Sequence, residues 1–184
     1  NAYGKPIPCA KKLVDINNLI EYMLTIFYTG NFDASTSSFM GNDGPNNFYA
    51  IYNRKDDSKG FIFFNHDAEH ALMIDETWPG VGITENRVNL GTRSDETRMT
   101  VNSFSVFHPQ WLHFKLSANK EYRMRFADRA SMFMIDKGAL DPDVCLSRFN
   151  NRVSEVELAI IAESARWGDS QSGFAYTKHD NWIP

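Results

Sequence analysis

The densest group of potential metal ligands is the segment 65–70, which reads Asn-His-Asp-Ala-Glu-His and directly follows a predicted strand. Imidazole and carboxylate groups are common ligands of divalent ions. In a helix, His66 and His70 would share a face and suit zinc, although Glu does not directly follow the first His as in zincins. In an extended chain, Asp67 and Glu69 would point to the same side. A solvated turn without a ligand is the structural alternative.

A second polar group comes earlier in the chain, in and after the loop predicted over 31–46. Asp33 lies in this loop, and the Asn46-Asn47 pair ends it. Carboxylate and amide oxygens from these residues could complete a magnesium site together with Asp67. The alternative is ordinary loop chemistry, because Asn and Asp are favoured in turns, where they bond their own backbone.

Several common nucleotide and nucleophile motifs are absent. Gly80-Val81-Gly82 begins a dinucleotide-like fingerprint, but Glu85 stands where the third glycine belongs, and no βαβ pattern surrounds it. The chain also has no phosphate-binding P-loop and no serine in a Gly-x-Ser-x-Gly context.

The elements that would position these residues begin with a helix. Asp15 is a favourable N-cap, apolar residues recur at helical spacing over Ile16–Phe27, and Gly30 ends the pattern. Strands are predicted over Phe48–Tyr52 and Gly60–Phe64 as a hairpin.

The second half of the chain predicts an irregular region followed by helices. Residues 65–106 have no sustained period, which predicts a long irregular region, either a functional loop or a series of short elements. Helices are predicted from His108-Pro109, over Tyr122–Phe133, and from Asp141-Pro142 to Gly168. The predicted fold class is α+β, mostly α, with one hairpin. The residues expected to be largely buried in its core are Leu19, Phe27, Phe126, Val153 and Ile160.

Composition excludes some classes of function. With 19 Lys plus Arg and 23 Asp plus Glu among 184 residues, the net charge is 19 − 23 = −4, which argues against nucleic-acid binding. No apolar run reaches the roughly 18 residues that span a bilayer. Hydrophobic residues make up 42% and aromatic residues 14%, enough for a folded core. The two cysteines have no metal-ligand spacing.

Several segments, in order, resemble the spore-coat protein H (CotH) family. The most specific is Ala162–Asp169, with the sequence Ala-Glu-Ser-Ala-Arg-Trp-Gly-Asp, followed by Asp180-Asn181-Trp182. The other matching segments are the helix Asp15–Phe27, Asn31-Phe32-Asp33, Asn47-Phe48-Tyr49 and Phe64-Asn65-His66-Asp67.

The resemblance implies an atypical protein kinase that uses ATP and Mg²⁺, or another divalent cation, to phosphorylate protein Ser or Thr. It implies Asp33 as catalytic base, Asn47 as a metal ligand and Asp67 as the principal magnesium ligand. This order of base, Asn and Asp parallels that of protein kinases. His66 replaces the family's usual Trp and Glu69 its second Asp, and both replacements keep metal ligation feasible.

The resemblance also implies the organisation of the chain. Residues 1–184 correspond to a single kinase-C-lobe-like domain. Independently of the resemblance, Pro6 and Pro8 predict an extended lead-in over 1–12. The family's N-terminal lobe, with its nucleotide-holding loop and Lys, has no counterpart here, so stand-alone kinase activity is expected to be low. The branch most resembled is that of large bacterial proteins with surface modules, which implies an extracellular or cell-surface location.

Two other functions remain open at this point. The first is a metal-assisted hydrolase that uses His66, Asp67, Glu69 and His70. The second is a non-catalytic module whose exposed aromatic residues bind a protein or carbohydrate partner. Magnesium or calcium on the protein would favour the kinase, zinc the hydrolase, and no metal the binding module.

Overall fold

The computed structural model describes residues 11–37, 45–56, 59–74, 83, 87–88, 107–170 and 173–182. Its helices are α1 (Ile16–Thr29), α2 (Pro109–Leu116), α3 (Lys120–Met134) and α4 (Pro142–Trp167), and a π-helical turn covers Lys178–Trp182. The strands are β1 (Ser35–Thr36), β2 (Pro45–Asn46), β3 (Phe48–Ile51) and β4 (Ile62–Asn65). The α+β, mostly α fold class is confirmed.

Local signals in the sequence set the ends of α1. The Asp15 carboxylate accepts hydrogen bonds from the backbone N–H groups of Asn17 and Asn18, as expected for an N-cap. Gly30 adopts a left-handed conformation (φ 59°), and its N–H bonds to the carbonyl of Ile26. The chain therefore leaves α1 sharply, toward Asp33.

Two small antiparallel sheets follow α1. In one, β1 pairs with β2, with Ser35 opposite Asn46. In the other, β3 pairs with β4, with Phe48 opposite Asn65, which is the hairpin expected from the sequence. The β1–β2 pair lies within and at the end of a segment expected to be loop, because two-residue strands leave no periodic signal.

The hairpin is joined to the start of α1 by backbone and side-chain bonds. The amide of Asn18 donates to the carbonyl of Phe63 at 3.0 Å and accepts from its N–H at 2.6 Å. Gly60 has a φ of 78°, and a Cβ there would lie 2.6 Å from the backbone of Leu13 and Val14. Only glycine fits this close approach.

The chain divides into two compact units, Asn1–Ser131 and Met132–Pro184. The core of the first unit is built mainly on α1, which buries Leu19, Ile20 and Met23 completely. The single-lobe organisation expected from the sequence stays a prediction. None of the described helices is long and apolar enough to cross a membrane.

The expected core is only partly correct. Leu19 is fully buried, but Phe27, Phe126, Val153 and Ile160 are half-buried. Phe27 lies near the end of α1, where its ring meets that of Phe126 with centroids 6.4 Å apart. None of the 26 residues of α4 is buried, since apolar residues at helical spacing do not by themselves supply a neighbour that covers them.

Candidate metal centre

Asp33 occupies a turn that directly follows α1. The side-chain oxygen of Asn31 accepts a hydrogen bond from the Asp33 N–H at 3.0 Å, which closes an Asx turn. Only 5% of the Asp33 surface is exposed. A carboxylate this deep requires hydrogen-bond donors around it.

Two neighbouring amides supply those donors. Asn46 donates to Oδ1 of Asp33 and Asn47 to Oδ2, each at 2.8 Å. The pairing of β1 with β2 brings Asn46 to this place, and Asn47 turns its side chain toward Asp33 from a left-handed backbone (φ 47°), which Asn tolerates well. The Asp33 carboxylate is therefore fixed in orientation, and each oxygen retains a lone pair for a further partner.

Asp33, Glu69 and His70 form a candidate metal-binding group. One ligand atom from each residue lies within 4.8 Å of the others, a spacing compatible with a shared ion at the roughly 2.0–2.3 Å typical of such ligands. Glu69 is exposed, whereas His70 is half-buried. The group thus combines one fixed buried carboxylate with two ligands nearer the surface.

His70 is oriented by its surroundings. Its ring packs on Phe32, with centroids 4.7 Å apart. Its Nδ1 lies 3.4 Å from the sulfur of Met73 and its Nε2 lies 3.5 Å from a carboxylate oxygen of Glu69. The imidazole is therefore held at the edge of the site beside its acidic neighbour.

The remaining predicted ligands lie outside this group. Asp67 is exposed and has a φ of 48°. It contacts the site through its backbone carbonyl, which accepts a 3.4 Å hydrogen bond from the amide of Asn47. His66 is also exposed, and its ring meets Tyr49 edge-on at 4.7 Å. Asn47 joins the site through Asp33 as a hydrogen-bond donor.

A buried arginine supports the segment that follows Asp33. Arg87 is 1% exposed and donates to the carbonyls of Ala34 and Thr36 at 3.1 and 2.7 Å. Its own carbonyl accepts from the side chain of Gln110 at 2.8 Å. Sequence reasoning missed Arg87, because a single arginine in an aperiodic stretch gives no signal of burial.

Burial also changes the protonation of groups near this support. Desolvation, followed by the charge of Arg87, lowers the pKa of His108 to about 4. Desolvation also raises the pKa of the Tyr22 hydroxyl well above its usual range. Both groups are therefore neutral around pH 7. Because His108 is uncharged, it adds no positive charge next to the buried guanidinium of Arg87.

Comparisons with known protein families, with curated proteins and with solved structures found no match to this chain.

Proposed function

We propose that Asp33, Glu69 and His70 bind a divalent cation, and that this cation serves phosphoryl transfer from ATP in a CotH-like kinase. The observation that carries the proposal is the convergence of three ligand atoms within 4.8 Å. The resemblance to the CotH family supplies the reaction. A cation at this position would neutralise charge on the transferred phosphoryl group and orient it.

The hydrogen bonds to Asp33 favour a role as an oriented ligand. Both oxygens already accept amide hydrogen bonds, which hold the carboxylate in one orientation. A carboxylate fixed in this way suits metal ligation or orientation of a substrate hydroxyl. This interpretation modifies the role of catalytic base that the resemblance implies.

The ligand types favour a borderline metal ion. Two carboxylates suit Mg²⁺, Ca²⁺ or Mn²⁺, whereas an imidazole suits Zn²⁺ and other transition metals. A set that combines both should bind Mn²⁺ or Zn²⁺ more tightly than Mg²⁺. We therefore expect Mn²⁺ to be the better probe of the site.

A metal-assisted hydrolase is the second candidate function. The presence of the His70 imidazole beside two carboxylates favours it, because mixed sets of this kind activate water in hydrolytic enzymes. Such a hydrolase would use Asp33 in place of His66 and Asp67, the two residues of the predicted cluster that lie outside the candidate metal-binding group.

Calorimetric titration of the chain with Mn²⁺ and Zn²⁺ tests the site. We expect Glu69→Gln and His70→Gln each to weaken binding at least tenfold, which is about 1.4 kcal/mol. Asp67→Asn is the matched control, because it removes an exposed carboxylate two residues from Glu69. If Asp67→Asn abolishes binding while Glu69→Gln leaves it unchanged, the proposed ligand set is wrong.

The reaction is tested with the metal-loaded chain and γ-labelled ATP. Transfer of label to a protein substrate, lost in Glu69→Gln, supports the kinase. Label released only as inorganic phosphate, together with metal-dependent cleavage of simple phosphate esters, supports the hydrolase.

A further inference from the structure

The second unit contains a cavity that neither of the two proposed enzymatic functions uses. It has a volume of about 390 Å³ and lies where the last turns of α4 meet the segment 173–182. Its aromatic walls are Trp167, Tyr176 and Trp182. These residues are 51%, 55% and 42% exposed, so each of them is partly accessible to a ligand.

Specific bonds hold the walls of this cavity in place. The Tyr176 N–H donates to the carbonyl of Gly168 at 2.9 Å. A Cβ at Gly168 would lie 2.5 Å from the Tyr176 carbonyl, so the segment approaches the end of α4 as closely as glycine allows. Lys178 forms an ion pair with Glu157 of α4, which also lowers the pKa of that carboxyl. These contacts fix the segment 173–182 against the end of α4, so the walls of the cavity have defined positions.

Polar side chains complete the lining and are partly committed to the fold. The side-chain oxygen of Asn181 accepts from the Thr177 N–H at 2.8 Å, which leaves its Nδ2 as a donor. Glu163 contributes a carboxylate, which only accepts hydrogen bonds. The cavity thus offers a donor and an acceptor beside three aromatic rings.

Charge limits the class of ligand. The guanidinium of Arg166 lies 4.9 Å from the centroid of the Trp167 ring, so a second cation on this indole would be repelled. The carboxylate of Glu163 disfavours an anion such as a phosphate. A neutral ligand with polarised C–H groups and hydroxyls is repelled neither by the Arg166 guanidinium nor by the Glu163 carboxylate.

We propose that this cavity binds a pyranose ring of a neutral oligosaccharide. The C–H groups of one sugar face carry partial positive charge and pack against the negative face of an aromatic ring. The hydroxyls at the sugar edge both donate and accept, which matches the Glu163 carboxylate and the Asn181 amide. The volume falls within the range of natural small-ligand sites, roughly 300–1,000 Å³.

Nuclear magnetic resonance titration of the chain tests this proposal with cellotetraose and chitotetraose as probes. We expect saturable shifts of the indole N–H signals of Trp167 and Trp182, with no shift at Trp111 of α2. Trp182→Ala should weaken binding at least tenfold, which is about 1.4 kcal/mol. Phe149→Ala is the matched control, because it removes an exposed aromatic ring of α4 outside the cavity.

Three results would overturn the proposal. The first is absence of saturable shifts with either oligosaccharide at millimolar concentration. The second is binding that Phe149→Ala weakens as much as Trp182→Ala does. The third is displacement of the same indole signals by a trimethyllysine peptide and not by sugar. Because no metal is added, failure here would leave the metal site at Asp33 unaffected.

Discussion

We expect His108, the N-cap of α2, and His113, within α2, to make the first unit sensitive to mild acid. His108 is the N-cap of α2, and its Nδ1 accepts a hydrogen bond from the Trp111 N–H at 3.1 Å. Burial lowers the pKa of His108 and of His113 from 6.5 to about 4. The Nδ1 of His113 lies 2.8 Å from the Tyr122 hydroxyl. The folded chain therefore holds both imidazoles neutral, whereas the unfolded chain protonates them below pH 6.5.

The sign and size of the effect follow from proton linkage. Between pH 6.5 and 4 the unfolded state binds more protons, so the free energy of unfolding falls as the pH is lowered. At pH 5 an unfolded histidine is almost fully protonated and a folded one is not. The difference in pKa destabilises the fold by about 2 kcal/mol for each histidine at that pH.

Denaturant unfolding at pH 7 and pH 5 measures this loss. His108→Asn keeps a side-chain acceptor at the N-cap but cannot titrate. Between pH 7 and pH 5 the free energy of unfolding of this variant should therefore fall by about 2 kcal/mol less than that of the unmodified chain. His179→Asn, at an exposed position, should leave the loss unchanged. The reasoning is refuted if His108→Asn loses as much stability as the unmodified chain.

Three further substitutions test individual contacts. Asn18→Ala should destabilise the chain by about 1–3 kcal/mol in denaturant unfolding, because both backbone groups of Phe63 lose their partners. Gly60→Ala should cost about 1–3 kcal/mol from its positive φ alone, read as a lower melting temperature. Gly168→Ala should break the hydrogen bond from Tyr176, read as faster hydrogen exchange at the Tyr176 amide.

Each of these three predictions has either a control variant or a result that would contradict it. Ser154→Ala, on the exposed side of α4, should leave the Tyr176 amide as protected as before. Full stability in Asn18→Ala would mean that water replaces the amide at Phe63. An unchanged melting temperature in Gly60→Ala would show that the chain accommodates alanine despite the positive φ at this position and the close backbone of Leu13.

Local sequence signals predicted the helix ends well. Asp15 and Gly30 bound α1, and the Asp141 side chain caps α4 by accepting from the N–H groups of Asp143 and Val144. These signals succeed because capping uses the side chain and backbone of adjacent residues. The burial of α4 was not predictable in the same way, because burial depends on what the rest of the chain places against a helix.

The composition of the candidate metal centre was only partly predictable. Strand alternation placed Asp67 and Glu69 on one side, but the positive φ of Asp67 and the turn at Glu69 and His70 end the alternation. The residue type of Asp33 was enough to identify it as a candidate. Its hydrogen bond with Asn46 was not predictable, because it depends on the two-residue strand β2, which leaves no periodic signal. Arg87 reaches the carbonyl of Ala34 across 53 positions, and no local pattern encodes a contact of that span.

The two amide bonds to Asp33 would affect how quickly the proposed metal site exchanges ions. Asp33 would lose little rotamer freedom on binding an ion, because Asn46 and Asn47 already hold both of its oxygens. Glu69 is exposed and has to be immobilised on the ion. An ion arriving from solvent would therefore meet the exposed Glu69 before the buried Asp33, and its dissociation would require Glu69 to swing away, so residence time and affinity would be tuned separately at these two carboxylates.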